Sequence, residues 1–254
     1  MAMIDLSQIE ARVLAWLAGQ QDVLEVFGRG EDVYVHEAAK QGSGDRQFGK
    51  VLVLACGYGM GGTKFQTTAE GYGLALTASE ASRAVAQWRA SNREVVKFWY
   101  AMEEAARACV GRPGAPAVVR GIRLVVRWGK LHVRKPGGGV LVYHNPRLRD
   151  GELEFDGVSQ TTRQWGLQKT YGGKLVENLT QAVARDLVAE AMVRVWERYR
   201  RVPVMTVHDE LVFEVDPARA GLADDLKDMV DQAPAWAGGL PLASKLAVGF
   251  RYGK

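Results

Sequence analysis

Cysteine is nearly absent from this chain of 254 residues, where only Cys56 and Cys109 occur, in unrelated contexts. Two isolated cysteines exclude a disulfide scaffold and the clustered cysteines of metal or redox motifs, and they favour a reducing compartment. No apolar run approaches the roughly 18 residues that a membrane span needs. The N-terminal Met-Ala-Met-Ile-Asp is unlike a signal peptide. We therefore expect a cytoplasmic protein with no membrane partner.

Proline is also scarce, with 8 residues, and neither an internal repeat nor a low-complexity linker occurs. With 47% hydrophobic and 24% charged residues, the composition is that of an ordinary globular protein. This composition excludes a disordered chain and a collagen-like fibre. At about 100–200 residues per domain, the length predicts one large domain or two modest ones.

Acidic residues are almost missing from one stretch of the chain. Between residues 112 and 151, nine Lys and Arg residues accompany a single acid, Asp150, so this segment carries +8. The whole chain carries only +4, which leaves −4 for the remainder. A basic segment on a slightly acidic body favours a polyanionic partner, and a solvated surface is the alternative.

The spacing of apolar residues predicts an α+β chain. The predicted helices cover residues 9–19, 23–27, 32–40, 46–55, 77–111 and 174–198. The predicted strands are 2–5, hairpins within 113–158, a hairpin of 202–205 with 211–215, and a closing strand that follows a helix in 222–252. Ser7 and Glu10 predict a capping box at the start of the first helix, because the two residue types lie three positions apart.

Three short segments carry residues suited to chemistry. In residues 5–12 (Asp-Leu-Ser-Gln-Ile-Glu-Ala-Arg), Asp5 lies between a strand and a helix, where a carboxylate can bind a divalent cation or serve as a turn residue. Arg46 and Lys50 share one helix face near an N-terminus, which suits a polyphosphate better than solvent because the rest of the helix is apolar. Residues 207–210 (Val-His-Asp-Glu) stand between apolar strands and predict a second metal ligand, with an acidic turn as the alternative.

In this order, the three segments resemble motifs A, B and C of family A DNA polymerases, the DNA polymerase I family. Residues 5–12 are similar to motif A (Asp-Tyr-Ser-Gln-Ile-Glu-Leu-Arg), and Arg46, Lys50 and Tyr58 fall at the spacing of motif B. Residues 207–210 match motif C. The resemblance covers nearly the whole chain and implies a template-directed DNA polymerase.

Two further segments carry the resemblance. Residues 174–186, with Gln181, resemble the palm helix that precedes motif C. The Tyr-His-Asn-Pro sequence of residues 143–146 is similar to phage-type members of the family, which implies a bacterial or phage-infected cell.

The resemblance implies a polymerase right-hand fold reduced to two parts and an insertion. The palm, an antiparallel sheet with helices, would comprise residues 1–20 and 171–254. The helical fingers would comprise residues 21–111, and residues 112–170 would form a basic, β-rich insertion. The expected partners are primer-template DNA and dNTP. The thumb and the exonuclease domain are expected to be absent, so a separate chain that supplies the thumb or exonuclease is a further expected partner.

The resemblance also implies a role for each matched residue, with two Mg²⁺ ions as cofactors. The catalytic residues would be Asp5, Asp209 and Lys50. The metal ligands would be Asp5, Leu6 and Asp209. The nucleotide-binding residues would be Gln8, Glu10, Arg46, Lys50, Leu54 and Tyr58, with Glu10 excluding a ribose 2′-hydroxyl. The DNA-binding residues would be Gln181, His208, Arg123, Arg127 and Arg134.

The chain departs from the family pattern at two positions. Leu54 stands where most members carry Phe or Tyr, and Tyr34 stands where many carry a His that contacts the triphosphate. A single-subunit RNA polymerase is one alternative, although Glu10 and Glu210 favour the DNA-polymerising branch. A truncated or split polymerase that binds DNA and needs a partner chain for activity is the other.

Overall fold

The structure, a computed structural model, describes residues 1–216, 218–219 and 221–253. Its first part holds one strand and a series of helices: β1 (Ala2–Leu6), α1 (Ile9–Ala18), α2 (Gln21–Gly28), α3 (Val33–Lys40), α4 (Arg46–Cys56), α5 (Gly62–Gly71), α6 (Ala78–Ser91) and α7 (Arg93–Gly111). Its middle part holds strands: β2 (Ala117–Val119), β3 (Ile122–Arg127), β4 (Lys130–Arg134), β5 (Val140–Arg149), β6 (Glu152–Val158) and β7 (Trp165–Thr170). Its last part mixes both: α8 (Gly172–Tyr199), β8 (Met205–Val207), β9 (Glu210–Phe213), α9 (Leu222–Val230), a short 3₁₀ turn (Ala235–Ala237) and β10 (Ser244–Val248).

The first sheet joins the two ends of the chain. Its order is β10-β1-β9-β8, and every neighbouring pair is antiparallel. Asp5 in β1 lies opposite Glu210 in β9 on one side and Lys245 in β10 on the other. Residues about 200 positions apart in sequence therefore become neighbours at the centre of this sheet.

The second sheet is an antiparallel meander in which β2 to β7 follow one another in chain order. One face is apolar: Ile122, Leu124 and Val126 alternate with exposed or half-buried residues and are buried against helix α7. The opposite face is mostly exposed to solvent, although Glu154 on it is buried. The predicted α+β class and the hairpins within 113–158 are confirmed, and β7 extends the sheet beyond the predicted region.

Helix α4 is held against α3 by a glycine in its interior. A Cβ at Gly49 would lie 1.8 Å from the backbone oxygen of Tyr34, so only glycine permits this approach. Asp45 caps the helix by accepting a hydrogen bond from the Gln47 N–H at 2.8 Å. The predicted helix over residues 46–55 is confirmed.

Two predictions about helices are wrong in detail, and one helix is not predicted. The residue before α1 is Gln8 in the left-handed region (φ 48°), and no side chain caps this helix, so the predicted capping box does not form. The chain forms such a box instead with Thr77 and Glu80 at the start of α6. The predicted helix over 77–111 is two helices, because buried Asn92 interrupts it and donates to Glu37 at 2.9 Å. The sequence pattern does not predict helix α5, since this helix buries only Phe65 and Ala69.

Both cysteines are buried and form no disulfide. Burial raises the pKa of the Cys56 thiol to about 12, which keeps it protonated and unreactive. Within the described part of the chain, none of the helices combines the length and apolar character that crossing a bilayer requires.

Candidate active site

A cleft of about 720 Å³ opens between the first sheet and helix α4. Its polar and charged lining comprises Asp5, Ser7, Gln8, Glu10, Tyr34, Arg46, Lys50, Gln181, Arg185, His208, Asp209 and Lys245. Leu6 and Leu54 add apolar surface. The cleft therefore gathers residues from all three segments that the sequence singled out.

Asp5 and Asp209 meet at one wall of the cleft. Asp5 lies near the end of β1, and Asp209 occupies the two-residue turn between β8 and β9. The Leu6 N–H donates to the Asp209 carbonyl oxygen at 3.4 Å, which joins the two segments through the backbone. Glu210, the third acid of this region, is buried and lies outside the cleft lining.

His208 occupies the first position of the same turn in a left-handed conformation (φ 54°). Turns of this length favour glycine or asparagine there, and a larger side chain carries strain. The side chains of His208 and of the adjacent Asp209 both line the cleft.

Arg12 fixes the corner between β1 and α1. Its Nε donates to the Ser7 carbonyl oxygen at 2.7 Å and its Nη1 to the Pro241 carbonyl oxygen at 2.9 Å. The guanidinium carbon lies 4.2 Å from the centre of the Phe27 ring. Burial lowers the pKa of Arg12 to about 10, so the residue remains charged at neutral pH. This buried cation holds in place the chain that follows Asp5.

Arg46, Lys50 and Leu54 form the facing wall, at successive turns of α4. The Arg46 Nε donates to Asp32 Oδ2 at 2.6 Å, and its guanidinium lies 5.0 Å from the centre of the Tyr34 ring. The other nitrogens of Arg46 lie on a half-exposed side chain. The carboxylate of Asp32 therefore offsets part of the positive charge of Arg46 and Lys50.

Asp32 has two functions in this wall. Its Oδ1 accepts a hydrogen bond from the Tyr34 N–H at 2.9 Å and thereby caps α3, while its Oδ2 accepts from Arg46. Partial burial by itself would raise the pKa of Asp32. The hydrogen bonds and the charge of Arg46 outweigh it, so the pKa lies below its usual value.

Glu10 lies on the exposed side of α1 within the cleft. The Tyr58 hydroxyl donates to Glu10 Oε2 at 3.3 Å, which connects Tyr58 to the cleft although Tyr58 is not part of its lining. Desolvation raises the pKa of Glu10, and repulsion from Glu177 and Asp209 raises it further. The hydrogen bond from Tyr58 offsets only part of this rise.

The pKa of Glu10 is higher in the folded chain than in the unfolded chain, so protonation of Glu10 favours the folded state. This contribution to the free energy of unfolding is complete below the pKa of the unfolded state and is lost as the pH rises through the pKa of the folded state. We expect Glu10→Gln to raise Tm by about 1–3 °C at pH 8, a small gain because the side chain is partly exposed. The gain should disappear below about pH 4, where wild-type Glu10 is protonated. Thermal unfolding at the two pH values checks this, and a gain that is equal at both would contradict it.

The chain resembles known DNA polymerases over most of its length. It is 38% identical to a DNA polymerase of Bacillus phage SP02 over 257 aligned positions, covering 94% of this chain and 39% of that protein. It is 24% identical to DNA polymerase I of Helicobacter pylori strain J99, covering 85% of this chain and 21% of that protein. The predicted resemblance to the DNA polymerase I family is confirmed.

A solved structure shows the same fold. The POL domain of Pol1 from M. smegmatis, in complex with DNA primer-template and dNTP, superposes with a TM-score of 0.65 at 18% identity, over 96% of this chain and 39% of that one. No family model matches the chain. The chain thus has the polymerase α+β fold and spans two fifths or less of the length of these relatives.

Two cations of the cleft, Arg185 and Lys245, have no role assigned from the sequence. Arg185 follows Gln181 by one turn of α8, so both residues face the cleft. Lys245 lies directly across from Asp5 in β10. The helical spacing from Gln181 could have indicated Arg185, whereas the proximity of Lys245 depends on a strand pairing that the sequence does not specify.

The three basic residues that we predict to bind DNA lie outside the cleft. Arg123, Arg127 and Arg134 are exposed on the outer face of the second sheet. Arg123 stands directly opposite Arg134 in the neighbouring strand. Like charges at opposed positions destabilise a sheet, and an anionic ligand would relieve this repulsion.

Proposed function

We propose that this chain is the core of a template-directed DNA polymerase that transfers dNMP from a dNTP to the 3′-hydroxyl of a primer. One observation carries the proposal: a single cleft has Asp5 and Asp209 on one wall and Arg46 and Lys50 on the other. Carboxylates that bind metal and cations that bind phosphate are what phosphoryl transfer requires, because it depends on positioning and charge neutralisation.

The donor set fits Mg²⁺ brought by a nucleotide. Within the described residues, no group of three or more His, Cys, Asp or Glu side chains could hold a metal ion. Mg²⁺ commonly takes one or two carboxylates and completes its shell with substrate phosphates and water. Asp5, Asp209 and the backbone of Leu6 would hold the ions. When bound, two Mg²⁺ ions lower the pKa of the primer hydroxyl and stabilise the pyrophosphate leaving group.

Arg46 and Lys50 act on the triphosphate. The planar Arg46 guanidinium binds phosphate oxygens through paired N–H groups, and Lys50 provides a compact charge one turn further along α4. Lys50 also donates a proton to the departing pyrophosphate. Because Asp32 already binds one nitrogen of Arg46, the nucleotide competes with this carboxylate for the guanidinium.

Freeing Arg46 should therefore strengthen nucleotide binding. We expect Asp32→Asn to lower the KM for dNTP about two- to fivefold, because an exposed ion pair is worth about 0.2–1 kcal/mol. Asparagine caps a helix as well as aspartate does, so α3 should persist. Steady-state primer extension measures the KM, and Asp22→Asn, which breaks an ion pair with Lys40, is the matched control. An unchanged or higher KM in Asp32→Asn would contradict competition for Arg46.

The remaining cleft residues select and place the substrates. Glu10 occupies the space that a ribose 2′-hydroxyl would need, and Gln8 and Leu54 contact the nucleotide. Tyr58 holds Glu10 through its hydroxyl and lies near the templating base. Gln181 and His208 contact the end of the primer-template duplex. The lining of the cleft supports these roles, since it includes each of these side chains except Tyr58.

In this proposal the chain divides as the resemblance implies. The palm comprises residues 1–20 and 171–254, the fingers comprise residues 21–111, and residues 112–170 form a β-rich insertion that contacts DNA. The first sheet and α8 support the palm, α2 to α7 support the fingers, and the second sheet supports the insertion.

The insertion should supply part of the electrostatic affinity for DNA. We expect the triple replacement of Arg123, Arg127 and Arg134 by Glu to flatten the salt dependence of DNA binding. The slope of log K against log[salt] should decrease in magnitude by about 0.9 for each phosphate that is no longer neutralised. Fluorescence anisotropy with a primer-template at several salt concentrations measures the slope. Reversal of three exposed arginines on other elements, Arg83, Arg93 and Arg198, is the control. An unchanged slope in the first variant would refute the role of the insertion.

Primer extension tests the function itself. The purified chain, given Mg²⁺ and a primed template, should extend the primer with dNTP and discriminate against NTP. Preferential use of NTP would favour an RNA polymerase. Activity that appears only after a second chain is added would favour a polymerase fragment that depends on a partner.

A further inference from the structure

Two tryptophans lie exposed on the outer face of the second sheet. Trp128, in the turn between β3 and β4, is 85% exposed, and Trp165, in β7, is 61% exposed. Each makes an edge-on ring contact with a histidine: Trp128 with His132 at 6.0 Å and Trp165 with His144 at 5.4 Å between ring centres. At these exposures, most of the ring surface of both tryptophans faces solvent.

The local fold does not require tryptophan at position 128. Arg127 pairs with Lys130, so Trp128 and Gly129 form a two-residue turn. Both have positive φ (51° and 67°), the arrangement of a type I′ turn, which favours Asn-Gly. A bulky aromatic residue in this conformation is strained and, being exposed, gains little from packing. A ligand that uses the aromatic ring would account for it.

The two aromatic contacts lie on one continuous surface. Along β4, Lys130 and His132 alternate with the buried Leu131 and therefore point outward. Lys130 stands opposite His144 in β5, and His144 contacts Trp165. A row of outward side chains thus runs from Trp128 to Trp165 across the sheet.

Basic residues outnumber acidic ones on this surface, although Asp156 stands opposite His144 on it. The described ion pairs that involve acids of β6 use Arg147 and Lys169 as partners. None of the ion pairs in the described part of the chain includes the four cations that accompany the tryptophans, which are Arg123, Arg127, Lys130 and Arg134. Their charge is therefore available to a polyanion.

The second sheet is also joined to the helix that lines the cleft. Lys135, which follows β4, donates to Asp186 of α8 at 2.6 Å. Asp186 is the neighbour of Arg185, a residue of the cleft lining. The second sheet is therefore held next to an element of the cleft, and α8 contacts its inner face, where Asn178 donates to the buried Tyr143.

We propose that the outer face of the second sheet binds single-stranded DNA, with unpaired bases stacked on Trp128 and Trp165 and the phosphates bound by the neighbouring arginines and Lys130. Aromatic platforms within a basic surface bind single strands in this way, because every base offers a π-face. Paired bases in a duplex are already stacked and cannot use the tryptophans. That the bound single strand is the unpaired template rests on the proposed polymerase function, whereas the binding of single-stranded DNA does not.

Binding of labelled oligothymidine, an abasic strand of the same length and a blunt duplex to the full chain tests the proposal by fluorescence anisotropy. Trp128→Asn should weaken oligothymidine binding about tenfold, within the range expected when one base no longer stacks on an aromatic ring. It should change binding of the abasic strand and the duplex less than about twofold, because stacking requires unpaired bases. Trp165→Thr, which keeps a strand-forming residue, should act in the same direction.

Stability separates this role from a structural one. Trp128→Asn introduces the favoured Asn-Gly turn and should raise Tm while it weakens binding, whereas a tryptophan needed for folding would give a lower Tm. Tyr100→Ala, which removes an exposed aromatic from α7, should leave oligothymidine binding unchanged. Unchanged oligothymidine affinity in both tryptophan variants, or an equal loss for the duplex, would overturn the proposal.

Primer extension separates this proposal from the proposed polymerase function. Extension of a primer whose template has a single unpaired nucleotide should be unaffected by Trp128→Asn. An inactive wild type would refute the polymerase function without affecting the binding result.

Discussion

Replacing Asp209 with Asn is expected to lower the rate of primer extension at least about a thousandfold. The substitution removes one of two carboxylates on the sheet wall of the cleft, and metal-assisted charge stabilisation in phosphoryl transfer is worth several kcal/mol, of which about 4 corresponds to this factor. Asparagine has the same shape and is tolerated in tight turns, so the hairpin between β8 and β9 should persist. Single-turnover extension under saturating dNTP measures the chemical step.

A nearby acid provides the control for this experiment. Glu214 follows β9 and is exposed outside the cleft, so Glu214→Gln should leave the rate unchanged. The affinity of Asp209→Asn for primer-template DNA and its Tm should both match those of the wild type. A rate within tenfold of the wild type would show that Asp209 is not a metal ligand in the reaction.

Replacing Lys50 with Gln is expected to have the second largest effect, a decrease of about a hundredfold in kcat. Lys50 lies on the α4 wall, opposite the carboxylates, where it would stabilise charge on the triphosphate and protonate the leaving pyrophosphate. Removal of one preorganised donor to developing charge costs about 10²–10³ in kcat. Steady-state kinetics should show the loss mainly in kcat and less in DNA affinity.

Lys50→Arg distinguishes charge from proton donation. Arginine retains the positive charge but does not release a proton near neutral pH, so this variant should recover the KM for dNTP and little of the kcat. Lys64→Gln, at an exposed position of α5, is the control and should have wild-type kinetics. Full recovery of kcat in Lys50→Arg would show that Lys50 acts by charge alone.

The parts of the fold that the sequence predicts are those governed by local rules. Asp45 marks the start of α4, because an acid after a glycine-containing break is a strong N-cap. The alternation of Ile122, Leu124 and Val126 with exposed residues indicates a strand with one buried face. Gly19 ends α1 in the left-handed conformation that glycine favours.

Other features depend on distant parts of the chain. The capping box at Ser7 does not form because the Ser7 N–H donates to the Ala243 carbonyl oxygen and the Ser7 carbonyl oxygen accepts from Arg12. These partners come from the sheet edge and from the buried guanidinium, and neither is encoded in the four residues of the motif. The break at Asn92 likewise depends on Glu37, a residue of another helix.

The candidate site shows the same division. The i, i+4 spacing of Arg46 and Lys50 predicts a shared face, and both residues line the cleft. The partner of Arg46, Asp32, lies fourteen residues earlier and becomes its neighbour only because Gly49 allows α3 and α4 to pack closely. Trp128 has no signal in the motifs, since its exposure follows from the position of a turn on a sheet.

The most direct test is extension of a primed DNA template by the purified chain with Mg²⁺ and a single correct dNTP, under conditions where protein exceeds DNA. The residues that line the cleft predict addition of one nucleotide, prevented by EDTA and by Asp5→Asn, with NTP used at least about tenfold less efficiently than dNTP. Failure to extend the primer at any protein concentration, although the chain is folded and binds the DNA, would contradict the account.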